Sequence, residues 1–343
     1  MPVVIVKRNI TITTQQSTQA LLIALGTHSG LIWLADEAEP VIGLCPRWLV
    51  SQYAGLIQIQ QRGHVGDRNG QLGTARVIEH DFAQAVQQQW HTSLLESWHT
   101  PELSGFCGGL MGFLGYDWAA AQHGVSAPDS SIACQAWLAC YDIFLRKDGD
   151  GWHLYGSDCP SLQPLYDQIA ACLRFAGTVR PSNDQAALDQ PLPDFQIIEK
   201  FSPRWSFRQY QSAFLQVQDY LTAGDCYQVN LTQAFDAVVS GRLLNRLDAL
   251  LDLTRAPYAG YLAIQPQHEL LSCSPELFLS FLANGEVVTR PIKGTQPRHT
   301  DPEQDQALRQ QLALSEKDQA ENLMIVDLLR NDLSKTCTEV KVP

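Results

Sequence analysis

Asn284-Gly285, set between the strand-like runs Leu277 to Leu282 and Glu286 to Arg290, is the feature that most restricts how this chain can fold. Asn-Gly favours a two-residue type I′ turn, whose twist matches that of paired antiparallel strands. Such a loop also fixes the register. Ala283 then faces Glu286, and the ladder carried outward sets Glu276 directly opposite Lys293. Their Cβ atoms are expected roughly 4.5–5.5 Å apart. An acid and an amine are thus brought together by register alone, and a single bulge would undo the match.

The flanks of that pair bear on its use. Pro275 and Pro291 stiffen the backbone on both sides and fray the ladder there. Gly294 removes a side chain just after the lysine, which lets a ligand approach the backbone, and Thr295 adds a hydroxyl. A lysine in a dry site can lose its proton and act as a nucleophile, with the neighbouring carboxyl of Glu276 as general acid. The other reading is a cross-strand salt bridge on a solvated face, where exposed pairs are common and weak.

A second carboxylate stands out. In the expected helix Glu321 to Leu333, Met324, Ile325 and Leu328 fall within about 60° of Glu321. A carboxylate on an apolar face is costly unless paired or metal-bound. Near a helix start it is also tolerated through the dipole. Mg²⁺ often uses only one or two carboxylates beside waters and substrate oxygens. Asp327 and Asn331 lie on another face and read as structural.

The rest of the chain frames these residues. Strand patterns run over Pro2 to Thr14, Gly30 to Asp36 and Leu56 to Arg62. Ala136 to Arg146 and Trp152 to Tyr155 flank Asp148-Gly149-Asp150-Gly151 as a hairpin. A helix is expected over Gln163 to Ala176. Gly177 to Gln196, with three prolines, reads as a linker or long loop dividing the chain near residue 190. Beyond it, Ser206 with Gln209 forms a capping box ahead of the stripe Phe207, Tyr210, Phe214, Val217, Leu221, and Gly224 ends the helix. A strand over Asp225 to Phe235, a short helix over Leu243 to Thr254, a strand over Ala259 to Ile264 and a long helical segment from Glu303 to Leu333, broken near Ser315, complete the pattern. No βαβ alternation occurs, so the fold class is α+β, with mostly antiparallel sheets packed with helices.

Charge and cysteine usage exclude several functions. Lys plus Arg is 24 against 36 Asp plus Glu, a net charge of -12, which lacks the basic footprint of a nucleic-acid binder. An anionic substrate would need local cations or a metal against that field. The nine cysteines include no C-x-x-C pair, and the histidines no H-E-x-x-H. No apolar run is long enough to span a membrane and no signal peptide is legible, so a cytoplasmic location is expected.

Five motifs, in order, carry a resemblance that spans the whole chain: Gly224 to Leu231 (GDCYQVNL), Arg255 to Tyr258 (RAPY), Ser274 to Phe278 (SPELF), Thr289 to Thr295 (TRPIKGT) and Glu321 to Leu333 (ENLMIVDLLRNDL). Upstream, Gly108 to Asp117 and His28-Ser29-Gly30 add to it. The chain resembles the chorismate-utilising enzymes, a family that includes the components I of anthranilate synthase and aminodeoxychorismate synthase. The resemblance implies a β-rich N-terminal domain over 1–190 and the first part of a chorismate-binding catalytic domain over 191–343. Lysine within PIKGT is similar to the aminodeoxychorismate branch, since anthranilate synthases carry a small residue there.

The implied chemistry assigns Lys293 as nucleophile on chorismate, Glu276 as acid for the leaving hydroxyl, Gly294 and Thr295 as substrate-binding, and Glu321 as a Mg²⁺ ligand. Ammonia is implied from a separate glutamine amidotransferase subunit, with the product serving p-aminobenzoate and folate synthesis. The family also has a tryptophan pocket, for which Ser29, Tyr227, Pro257, Tyr258 and Ala259 are the matching candidates; packing the core is their other reading. The family's motifs continue well past Leu333, whereas this sequence stops at Val342-Pro343, so a C-terminally incomplete site is expected. Anthranilate synthase component I, and an inactive fragment that binds only a partner or tryptophan, are the competing readings.

Overall fold

The computed structural model describes residues 5–13, 17–26, 28–35, 39–63, 70–79, 81–93, 105–125, 134–149, 151–174, 195–265, 268–282 and 284–342. In chain order the first half contains β1 (Ile5–Thr13), α1 (Thr18–Leu25), β2 (Ile32–Leu34), β3 (Val41–Gly43), β4 (Trp48–Tyr53), β5 (Leu56–Gln61), β6 (Arg76–Ile78), α2 (Phe82–Ser93), β7 (Gly109–Leu114), α3 (Tyr116–Gln122), β8 (Cys134–Tyr141), β9 (Ile143–Asp148), β10 (Gly151–Ser157) and α4 (Gln163–Arg174). The second half adds β11 (Gln196–Pro203), α5 (Phe207–Ala223), β12 (Phe235–Ser240), α6 (Leu247–Thr254), β13 (Tyr258–Gln265), β14 (His268–Ser274), β15 (Leu277–Phe281), β16 (Val287–Arg290), α7 (Pro302–Ala313) and α8 (Glu316–Leu333).

The named strands pair antiparallel throughout, as the alternating sequence patterns imply. A seven-stranded sheet has the order β1-β10-β9-β3-β2-β13-β14, and a five-stranded sheet the order β6-β5-β4-β8-β7. β13 and β14, from beyond the proline-bearing stretch 177–196, therefore complete a sheet begun by the first strands. Most of that stretch, 177–194, lies outside the described residues.

Period-two alternation sorts the core into layers. Along β8, Trp137, Ala139 and Tyr141 face the other sheet, while Ala136 and Cys140 face outward beneath Phe82 and Ala85 of α2. Along β9, Phe144 joins the inter-sheet core, and Ile143 and Leu145 pack under α1 and α4. The result is helices, seven-stranded sheet, five-stranded sheet, helix. Both faces of β8 and β9 are covered, which is why Ala136 to Arg146 reads as one apolar run. The structure splits that run at Asp142, where the chain crosses from one sheet to the other. Asp142 is buried there, and its two carboxylate oxygens accept from the Nη1 and Nη2 of Arg62, each at 2.9 Å.

Several expectations change. Asp225 to Phe235 forms no strand: only Phe235 enters β12, and the polar stretch before it finds no ladder partner. α1, α2, α3 and β4 went unread, though Ser17 caps α1 by accepting from Ala20 N–H at 3.2 Å. The long helical segment breaks where expected, with Ser315 capping α8. No helix among the described residues is long and apolar enough to cross a membrane. In the second half the apolar stripes are less covered than their periodicity suggests: Phe207 is 80% exposed, Phe278 74% and Leu323 68%.

Candidate active site

The hairpin that organises the site differs from its expected register. Leu282 N–H donates to Glu286 O at 2.8 Å and Gly285 N–H to Leu282 O at 2.9 Å, so the loop is three residues long, not two. Gly285 takes φ +84°, the left-handed residue that such a loop needs. A further irregularity between Leu277 and Ser280 sets Leu277 opposite Arg290. Extending that register puts Glu276 across from Pro291, not Lys293. Both candidates stand beyond the strand ends.

Proline supplies no N–H, so the Glu276 carboxylate turns to the next backbone donor. Its Oε1 accepts from Ile292 N–H at 3.3 Å, one residue before the lysine. The Ser274 hydroxyl fixes the turn leading to it, accepting from Glu276 N–H at 3.2 Å. Glu276 is exposed and Lys293 half-buried, so the described residues enclose no dry acid–amine pair. Among them, no carboxylate is ion-paired with Lys293.

Lys293 instead lines a cavity of about 290 Å³ together with Leu312, Asp318, Gln319 and Asn322. The close approach around Gly294 comes from the protein itself. At φ +75°, a Cβ there would stand 2.9 Å from Asp318 Cγ and from Leu312 Cδ1. Gly294 thus seats the lysine loop against the α7–α8 junction, and Thr295 next to it is exposed.

Asp318, in the first turn of α8, was not singled out from sequence; the legible signal was its position three residues after the cap Ser315, whose Oγ accepts from Asp318 N–H at 3.3 Å. Glu321 follows it by three residues on the same helix face and is half-buried. Together they are what this helix offers a divalent cation. Among the described residues, no three His, Cys, Asp or Glu side chains gather as a metal site.

The tryptophan-site candidates are not drawn together. Ser29 Oγ donates to Gly70 O at 3.1 Å and accepts from Leu72 N–H at 3.2 Å. Because β2 runs antiparallel to β13, with Leu34 facing Gly260 and Ile32 facing Leu262, Ser29 lies toward the Gln265 end of β13. Pro257, Tyr258 and the buried Ala259 stand at the other end, about 20 Å away at 3.3 Å per residue. Tyr227 is exposed.

Comparison with known proteins gives these residues a context. Residues 51–343 match the model of the chorismate binding enzyme family. Aminodeoxychorismate synthase component 1 of Escherichia coli is 34% identical over 77% of this chain and 55% of the relative. The protein of that name from Klebsiella aerogenes is 35% identical over 80% of this chain and 59% of its own length. The chain thus spans a little over half the length of these relatives. The crystal structure of anthranilate synthase component I from Streptococcus pneumoniae superposes with a TM-score of 0.65, at 24% identity, over 87% of this chain and 62% of that one. The layered antiparallel architecture is that of this fold. With the family model matched over most of its length, the chain belongs to the chorismate binding enzymes.

Proposed function

We propose that this chain takes part in forming 4-amino-4-deoxychorismate from chorismate and ammonia. One observation carries the reading. The lysine of Pro291-Ile292-Lys293-Gly294-Thr295 lines a cavity beside the acidic first turns of α8. The relatives named for that synthase support the choice of product.

In this reading the Lys293 amine, once deprotonated, attacks C2 of chorismate. Both ring double bonds shift by one position, C1=C2 to C1=C6 and C5=C6 to C4=C5, and the C4 hydroxyl leaves as water with a proton from Glu276. Ammonia then bonds to C4 and gives up a proton, both double bonds return to their original positions, and the C2–lysine bond breaks as the departing lysine nitrogen takes up a proton. Glu276 sits on the backbone next to the nucleophile, and closing onto substrate would exchange its bond from Ile292 N–H for the leaving oxygen. Gly294 and Thr295, which follow the lysine in sequence, are assigned to substrate binding in this reading. Glu321, with Asp318 on the same helix face, would hold Mg²⁺, which supplies positive charge for the carboxylates of an anionic substrate. The relatives' designation as component 1 supports a partner component, and we assign it the delivery of ammonia from glutamine. The product would serve p-aminobenzoate and folate synthesis.

Anthranilate formation is the second reading, favoured by the likeness in fold to anthranilate synthase component I. An amine at position 293 is what separates the two. Incubation with chorismate and Mg²⁺ in the absence of ammonium tests the covalent step. Intact-mass analysis should show protein carrying chorismate less one water, and Lys293→Ala should show none. An equal adduct on the variant would remove Lys293 from the mechanism.

A further inference from the structure

We propose that Ser274 is a positioning residue for Glu276, tying the acid beside the lysine loop to the packed seven-stranded sheet. The proposal rests on the reading of Glu276 as the acid that serves Lys293 in aminodeoxychorismate formation.

The hairpin that leads to Lys293 does not set the acid by its own packing. No residue of β15 or β16 is buried, and their pairing is irregular between Leu277 and Ser280. A two-stranded ribbon of this kind is marginally stable by itself. Glu276 lies just before β15 and is exposed. What holds it comes from the other side, where β14 ends at Ser274. That side is firm. Ser274 is the register partner of Tyr258, and β13 runs on from there through Ala259, Tyr261 and Leu262, all buried.

One hydroxyl makes the link. Ser274 Oγ accepts from Glu276 N–H at 3.2 Å and donates to Glu276 O at 3.1 Å. Both backbone polar groups of the acid residue are thereby held by the last residue of the sheet. A hydroxyl can do this because it carries one proton and two lone pairs, and serine commonly bonds to the backbone two residues on.

The prolines remove the alternatives. Pro275, between the two residues, has no N–H to compete for the hydroxyl, and its ring holds φ near about −65°. On the facing strand Pro291 likewise has no donor to offer, so the Glu276 carboxylate accepts from Ile292 N–H, at 3.3 Å. The acid therefore reaches the residue before Lys293 from a backbone that Ser274 has fixed.

Removing this hydroxyl orphans no buried group. Ser274 is half-buried, and Glu276 is exposed, so water can take over the freed N–H. The loss falls on the placement of the carboxylate and not on folding, which separates a positioning role from a structural one.

Two measurements on Ser274→Ala and Ser274→Thr test the proposal. The first needs no substrate. Amide exchange followed by NMR should be roughly ten-fold faster at Ile292 in Ser274→Ala, and unchanged in Ser274→Thr, which keeps the hydroxyl. The second is steady-state turnover with chorismate, Mg²⁺ and ammonium. In Ser274→Ala kcat should fall by about ten- to a hundred-fold with KM unchanged, the mark of an interaction needed only in the transition state, and threonine should restore it. Circular dichroism should show both variants folded. Unchanged Ile292 exchange in the alanine variant, an equal fall of kcat in both variants, a rise in KM with kcat unchanged, or an unfolded alanine variant would each overturn the proposal. If the wild-type protein forms no aminodeoxychorismate, the reading of Glu276 as the acid fails, and Ile292 exchange alone decides whether Ser274 places its carboxylate.

Discussion

Asp142 shows how much one side chain can decide. It marks the point where an eleven-residue apolar run (136–146) changes sheets, and it is a carboxylate with nowhere to meet water. Arg62 holds it with two parallel hydrogen bonds, and Arg47 stands 4.0 Å away. Removing one partner of a buried pair leaves an uncompensated charge. Arg62→Ala should therefore cost about 3–5 kcal/mol in urea denaturation; a loss below about 1 kcal/mol, the scale of an exposed pair, would mean that Arg47 alone suffices. Nothing in the sequence announced this pair, because its members are 80 residues apart and only the fold joins them. Lys293, Gly294, Glu276 and Glu321, by contrast, are candidates that residue chemistry and flanking sequence single out without the fold. Their mutual geometry is not legible in that way, since one extra loop residue and one bulge shift Glu276 away from the lysine.

At the level of elements, helix caps were the most readable signals. Ser206 and Gln209 form the reciprocal box foreseen from their spacing. Ser206→Ala should lower the stability of α5 by about 1 kcal/mol, seen as faster amide hydrogen exchange confined to its first turns. Uniformly unchanged exchange would contradict this. The start of α7 depends on a less visible device. Arg298 donates from Nε and Nη2 to Asp305 at 2.8 and 2.9 Å, and these bonds, with one from His299 N–H, hold the Asp305 pKa down to about 2. A depressed carboxyl gives its support above the ordinary value near 3.9 and loses it as pH falls through about 2. Carbon-detected NMR titration should place the Asp305 midpoint near 2, and Arg298→Ala should return it toward the ordinary carboxylate range. An unmoved midpoint would contradict the assignment. Strands were read well where one partner lay nearby, as in β9 and β10, and wrongly at Asp225 to Phe235, where β-like composition met no ladder.

The whole molecule has an uneven interior. The two large sheets and their helices bury nearly all of the described core, whereas α5, α7 and α8 contribute no buried residue. The class, α+β with antiparallel sheets, followed from the absence of βαβ alternation. The layering did not, because a covered face and a solvent face look alike until the partner sheet is known: Gln58 and Gln60, the polar positions of an alternating strand, line the space between the two sheets. An acidic chain that handles an anion must concentrate positive charge locally, and in the proposed chemistry Mg²⁺ at Glu321 and Asp318, beside the Lys293 cavity, would supply it. The most direct measurement of that claim is product analysis after incubating the protein with chorismate, Mg²⁺ and ammonium. The account predicts 4-amino-4-deoxychorismate, identified by mass and by conversion to p-aminobenzoate with added lyase, and its loss in Lys293→Ala. Anthranilate released without added lyase, or aminodeoxychorismate formed equally well by the variant, would contradict it.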